Sequence, residues 1–408
     1  MPTYDHRAVQ RVRFAVETTF GADATGDVAT NFFDLRAKPT VIERAPQTAP
    51  DETSVQRFHQ QRDDVFGADH GSCVIEAYWT SQNTLATKSS QSKFLETVLG
   101  GYALPGTNSL SASGEAATGC VVSAGEGAQF DENSFVGVTV DGVVYPRLVA
   151  TVTTDTLVWW PALPSAHATG SAILNAQNIF YDESVSKWLQ ILSEAAIDRG
   201  NIWLLSGCAG DLSMSLQRGG LVSWSSNVMG ALHEHDDEIA TPQGGGAIAA
   251  AAYVDSAPKW GNEGGCHFAP TTDSTLTLVR LAEIAIDFGI KWVEIPMPSG
   301  VEGIGEYYRD RGRKTITLTI LKPASEGTHE LYRDAMRAGT HYGVMFWLGA
   351  TANNTSAIAA RNCQIIKVED TEVGGVNAQK VTVLAEENDR STDQTTTQRR
   401  SPMVLGAL

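Results

Sequence analysis

Asp211-Leu212-Ser213-Met214-Ser215-Leu216-Gln217 and Thr315-Ile316-Thr317-Leu318-Thr319-Ile320-Leu321 alternate polar and apolar side chains without a break. Successive side chains on a strand point to opposite faces, so each stretch reads as a β-strand with one wet and one buried face. The wet faces carry Asp211, Ser213, Ser215 and Gln217 in one stretch and Thr315, Thr317 and Thr319 in the other. Each stretch also sits in the same string of elements. The first string is a strand at Cys73–Trp79, a short amphipathic helix from Ser92 to Gly100 and, after a long interruption, Cys208–Gln217, a Gly219-Gly220 turn and Leu221–Ser225. The second is Thr315–Leu321, a helix near Glu330–Gly339, and the strands Cys363–Val368 and Lys380–Leu384 on either side of Gly374-Gly375. Identity between the strings is low, and the repeat rests on element order and turn chemistry. The expectation is a mainly β chain of two tandem β-domains, sandwich or sheet, each with one short α-helix.

The boundaries follow from the breaks in periodicity. Residues 1–240 form the expected first domain and 247–395 the second, with Thr241-Pro242-Gln243-Gly244-Gly245-Gly246-Ala247 as the linker and 396–408 as an extended C-terminal arm. Within the first domain, residues 107–168 read as a small all-β insertion. Its strands are Phe135–Val140, Val143–Tyr145, Leu148–Val152 and Thr156–Trp160, and Asp141-Gly142 between β-branched runs is a strong hairpin signal. The polar segment 36–70 reads as a long exposed loop, matched in the second domain by the loop 296–313, which follows an expected hairpin of Glu283–Phe288 with Ile290–Ile295 across Gly289.

Composition narrows the function. A chain of 408 residues with 42% hydrophobic residues and 38 glycines supports packed cores joined by many turns. A net charge of −17 opposes binding to phosphate backbones, which relies on Lys and Arg replacing counterions. The segment Met1–His6 lacks the apolar stretch of a signal peptide and no run of 18 apolar residues occurs, so neither secretion by a signal peptide nor a membrane span is expected. Cys73, Cys120, Cys208, Cys266 and Cys363 are scattered without a CxxC and read as reduced, buried small hydrophobes.

Signals for chemistry are weak. His233-Glu234-His235 would place two imidazoles on one face of a strand, within reach of a metal, but the acidic run that follows reads better as a solvated turn. Cys266 and His267 are adjacent, so their side chains diverge on a strand. Gly244–Gly246 lacks the strand, helix and lysine of a phosphate loop, and GxSxG, HExxH and GxGxxG are all missing. The expected set is therefore no catalytic residues, no metal and no cofactor. Trp159, Trp160 and Trp224 offer a stacking platform for a sugar, although core or interface packing is the commoner fate of such side chains.

The alternating strands leave two readings: an ordinary half-solvated antiparallel sheet, or wet faces repeated around a ring that line a water-filled channel, with sheet edges paired between subunits. The chain resembles the tail tube proteins of bacteriophages with long, non-contractile tails (siphophages). The resemblance rests on Glu17-Thr18-Thr19-Phe20-Gly21, the Phe94–Gly100 helix ending in Leu-Gly-Gly, Gly207–Ser213, Ile284 through Leu321, Leu331–Met336 and Tyr342–Leu348. It implies a structural virion protein, not an enzyme, assembled in the host bacterial cytoplasm into a hollow tail tube of stacked rings through which phage DNA passes without specific binding. It further implies a trimeric, pseudo-sixfold ring, with a hexameric ring as the alternative, and tape-measure, tail-tip and tail-terminator proteins as partners. The long loops and the C-terminal arm are then the expected contacts between rings. A capsid-decorating or tail-terminator protein and a carbohydrate-binding β-protein are the alternative functions.

Overall fold

The structure is a computed structural model that describes residues 11–17, 19–20, 33–35, 37–38, 42–49, 65–79, 88–103, 106–182, 187–194, 202–217, 221–235, 264–301, 304–322, 330–352, 354–388 and 397–408. It is mainly β. The first half contains β1 (Arg11–Glu17), β2 (Phe33–Leu35), β3 (Glu43–Ala49), β4 (Val65–Tyr78), α1 (Ser90–Leu99) and β5 (Gly100–Ala103). An inserted module follows, after which the half resumes with β12 (Gln177–Tyr181), β13 (Trp188–Glu194), β14 (Ile202–Gly210), β15 (Ser213–Gln217) and β16 (Ser223–His235). The second half contains β17 (Gly264–Pro270), β18 (Leu281–Asp287), β19 (Ile290–Val301), β20 (Ile304–Arg311), β21 (Thr315–Leu321), α2 (Leu331–Ala338), β22 (His341–Leu348), β23 (Ser356–Val373), β24 (Val376–Ala385), α3 (Thr397–Arg400) and β25 (Val404–Ala407).

The inserted module is a closed six-stranded barrel of β6 (Ser109–Ala116), β7 (Gly119–Val122), β8 (Phe135–Val140), β9 (Val143–Thr153), β10 (Thr156–Trp160) and β11 (Ala172–Asn175). Asp141 and Gly142 both take positive φ, which is the backbone of the tight turn that their sequence announces. The barrel runs past the expected boundary at residue 168, because β11 closes it by pairing with both β6 and β8.

Antiparallel pairings run in the same order through both halves. In the first, β1 pairs with β13, β13 with β14, β14 and β15 with β16, and β16 with β4, whose far side bridges Ala37 to Ala77. In the second, β17 pairs with β22, β22 with β23, β23 with β24, β24 with β21, and β21 with β18. The long β23 does alone what β14 and β15 do together. The halves are then joined edge to edge, since β15 pairs with β18 from Ser213↔Asp287 to Gln217↔Glu283. One apolar core extends under both halves, from Phe14, Phe94 and Trp224 to Phe268, Leu318 and Phe346.

Three expectations fail here. Residues 43–49 pair with 65–72 as β3–β4, so the expected loop 36–70 contains β3 and the start of β4; Glu-Arg-Ala-Pro-Gln-Thr-Ala shows no alternation, so the strand is invisible to periodicity. β18 and β19 do not pair across Gly289; that residue, at φ +58°, passes the chain from the main sheet into a separate two-stranded arm, β19–β20, which takes in the expected loop 296–313. The residues after 396 are no extended arm either. α3 leads into β25, which inserts between β12 and β23, and the apolar Met403, Val404 and Leu405 are buried there.

Candidate functional site

The feature that stands out is a polar sheet face built by alternation. β15 turns Leu212, Met214 and Leu216 into the core and leaves Ser213 and Ser215 exposed, with Asp211 partly so. The serines are met across the strand pair by Ser225 and Ser223, at 2.9 Å for Ser213 Oγ to Ser225 Oγ and 3.1 Å for Ser215 Oγ to Ser223 Oγ. On the other side of β15, register places Asp287 beside Ser213 and Ala285 beside Ser215. The row continues into Thr315 and Thr317 of β21, and the Thr317 hydroxyl lies 3.3 Å from that of Thr382 on β24. Strands β4, β16, β15, β18, β21, β24 and β23 thus share one face of small hydroxyls and scattered charges. The fold brings the two sets of expected residues together on this face, although about 100 residues separate them in the chain.

Thr319 is only 6% exposed, so it is not a wet residue; its register neighbours are the long side chains Glu283 and Lys380. Gln217 keeps the register, opposite Glu283, but its side chain lies outside the described residues. Sequence reading missed Ser223, Ser225, Glu283, Asp287, Lys380 and Thr382. The same alternation, in Ser223-Trp224-Ser225 and Glu283-Ile284-Ala285-Ile286-Asp287, was the available signal.

The face is acidic at the joint between the halves. Burial pushes the Asp211 carboxyl above its ordinary range and nearby Asp287 adds to that, while the Asn227 N–H donates to its Oδ1 at 2.6 Å and opposes the rise. The Gly289 N–H donates to Asp287 Oδ1 at 2.8 Å. At the β4 edge Lys38 and Glu76 form an exposed pair at 2.5 Å.

The β19–β20 arm lies across the first half and holds it. Arg309 donates from Nη1 to Asp182 O at 2.8 Å and Leu99 O at 3.1 Å, and from Nη2 to Thr97 O at 3.4 Å. A buried guanidinium therefore satisfies carbonyls at the C-terminus of α1, where a helix has unpaired acceptors and favours a cation. The indole of Trp292 lies under the guanidinium, with the charge 4.7 Å from its centroid, and donates to Gly210 O at 2.7 Å.

Other candidates lose their chemistry on burial. Trp159, Trp160 and Trp224 are all buried, so these three form no sugar platform: a bulge at Val158/Trp159 sends Trp159 into the barrel core and Trp160 into the seam with the second half. The five cysteines are free and buried, and burial pushes the Cys73 and Cys266 thiols up to about 12. His233–His235 continue β16 opposite Ile202–Leu204 and so form a strand end, not a turn; their side chains and residues 236–263, the linker included, lie outside the described residues. No group of three or more potential ligands is placed to hold a metal among the described residues, and no described helix is long and apolar enough to cross a membrane. Comparison with known proteins returns no matching family model and no matching curated protein.

Proposed function

We propose that this chain is a structural virion protein of a long-tailed bacteriophage, a tail tube subunit that polymerises into stacked rings around a DNA-conducting channel. One observation carries the reading: a broad sheet with a polar face ends in an edge that lacks a partner. β15 finds its outer partner in β18; the matching stretch of β23, residues 366–373, has none among the described residues. The matching position to β18 in the first half is the short segment at Ala37 and Lys38 on the far side of β4. The joint within the chain is thus a template for a joint between chains, with β23 of one copy beside residues 37–38 of the next. That arrangement covers an edge which would otherwise invite disordered pairing.

Three copies arranged this way close a pseudo-sixfold ring of roughly two dozen strands, well above the 16–18 that already leave an aqueous channel. The hydroxyl and acidic face would line it. Such a lining offers phosphates few fixed cations, so DNA slides without being held. A hexameric ring is the alternative geometry. The arm β19–β20 holds the first half of its own chain, and the corresponding hairpin β3–β4 is the candidate to reach a neighbouring copy. On this reading the protein is assembled in the bacterial cytoplasm, resides in the virion tail, and works with tape-measure, tail-tip and tail-terminator proteins. It is not an enzyme, and its two halves with their barrel insertion form tandem tube domains.

Electron microscopy of the purified chain across a concentration series, with and without a tail-tip initiator, tests the reading. Hollow tubes with threefold or pseudo-sixfold end views are expected. Monodisperse monomers under every condition would overturn it.

A further inference from the structure

At the seam between the inserted barrel and the second half, three N–H groups are buried without an acceptor among the described residues. Arg147 of β9 is 0% exposed; Nη1 and Nη2 donate to Pro146 O at 2.6 Å and Ala162 O at 3.1 Å, and Nε donates to nothing. Trp160 Nε1 has no partner. His267 of β17 is also 0% exposed; its Nδ1 accepts from the Thr277 N–H at 3.0 Å, which fixes the ring proton on Nε2, and Nε2 has no partner. The three residues are neighbours. The rings of Trp160 and His267 meet edge to face at 4.9 Å, and the Arg147 charge acts on His267, which burial and that charge hold neutral down to about pH 4. The position is constructed with care, since a Cβ on Gly343 would lie 2.2 Å from the Trp160 ring.

The charge balance is equally one-sided. Among the described residues no carboxylate bonds to Arg147, and the rings of Trp347 and Tyr145 each lie 5.6 Å from the guanidinium carbon. The carboxylate that acts on His267 is Asp273, at the exposed surface and engaged with the Thr275 N–H. An unpaired buried charge is among the costliest features a fold can carry. A single water accepts two hydrogen bonds at most and leaves the charge uncompensated, whereas a small anion accepts from several donors and neutralises it.

We propose that Arg147 Nε, Trp160 Nε1 and His267 Nε2 share one acceptor, a dehydrated monatomic anion, with chloride as its occupant. The site is independent of the tube reading: it ties the barrel to the second half whatever the assembled protein does. Binding to the folded state alone makes stability depend on ligand concentration. Above the dissociation constant, each tenfold step in chloride at constant ionic strength, balanced with gluconate, should then raise the melting temperature of the full chain by the same increment. Arg147→Met should abolish that dependence, and Trp160→Phe, which removes one donor and no charge, should weaken it. A bromide-soaked crystal should show an anomalous peak bonded to the three nitrogens. Equal melting in chloride and gluconate, or a density peak that is water with no bromide signal, overturns the proposal. Should Arg147→Met fail to fold, the Trp160→Phe titration and the bromide peak decide the matter alone.

Discussion

Helices α1 and α2 occupy the same place in their halves, each following the strand that carries the second-last position of the ladder, yet they are held in different ways. α1 buries Phe94, Leu95, Val98 and Leu99 and even its serines and glutamine, with Ser89 Oγ accepting the Ser92 N–H at one end and Arg309 bonding the carbonyls at the other. α2 buries only Ala335 and rests on β23, with Tyr332 against Phe268 and Tyr342. The cause lies outside the helices. β12, β5 and the arm from the second half close over α1, and no described element does the same for α2. A local sequence can repeat while the cover placed over it decides what each copy contributes.

The largest expected effect separates the two helices directly. Phe94 is fully buried between Phe14 and Trp224, so Phe94→Ala should cost about 3–5 kcal/mol in urea denaturation. Met336→Ala, on the half-covered helix, should cost about 1 kcal/mol. Equal losses would break the comparison. Next, Arg309→Met takes the guanidinium donors from Thr97 O, Leu99 O and Asp182 O, of which Leu99 O keeps the Asp182 N–H, and should cost about 3 kcal/mol, whereas Arg337→Ala, on the exposed last turn of α2, should stay within about 0.5 kcal/mol.

A third test sharpens the contrast through pH. The second half ties its β23–β24 hairpin to α2 with Asp370, which accepts from Lys322, Arg333 and Gln379; Lys322 contributes first to holding its carboxyl well below the ordinary range. A depressed carboxyl contributes stability that is present above the unfolded value, near 3.9, and is lost as pH falls through the folded value. Acid should therefore loosen the α2 side first, seen as early hydrogen exchange there, and Asp370→Asn should remove that pH dependence. Exchange that begins at α1 would contradict it. The smallest effect concerns the shared face. Ser213→Lys and Thr317→Lys should each change stability by no more than about 0.5 kcal/mol, and in the tube proposed above both should cause DNA to be retained in a salt-dependent way. Retention from one half only would mean that the two faces are not equivalent.

The parts of this fold that could be read from sequence are those in which a residue's neighbours along the chain decide its fate. Thr315–Leu321 is a strand with the expected bounds because its alternation is strict, and Asp141-Gly142 makes the expected turn because few other residues tolerate positive φ there. Wet positions Asp211, Ser213, Ser215, Thr315 and Thr317 followed from the same periodicity. What could not be read depends on distant partners. Nothing in Ser213–Gln217 says that Glu283–Asp287 will lie beside it, and Thr319 is buried although its alternation places it on the wet face beside Glu283 and Lys380. Proline-bearing β3 forms because β4 offers it an edge, and the four residues of β25 are strand only in the company of β12 and β23.

That last strand also sets a clock. β12 at Gln177–Tyr181 stays open on one side until Val404–Ala407 has been synthesised, and the same four residues cover one side of β23 at Ser356–Ala359. Pairings so far apart in the chain form late and slowly. A ribosome-bound chain can therefore complete its barrel long before the seam between the halves. Until those four residues are in place, the sheet lacks the strand that joins β12 to β23.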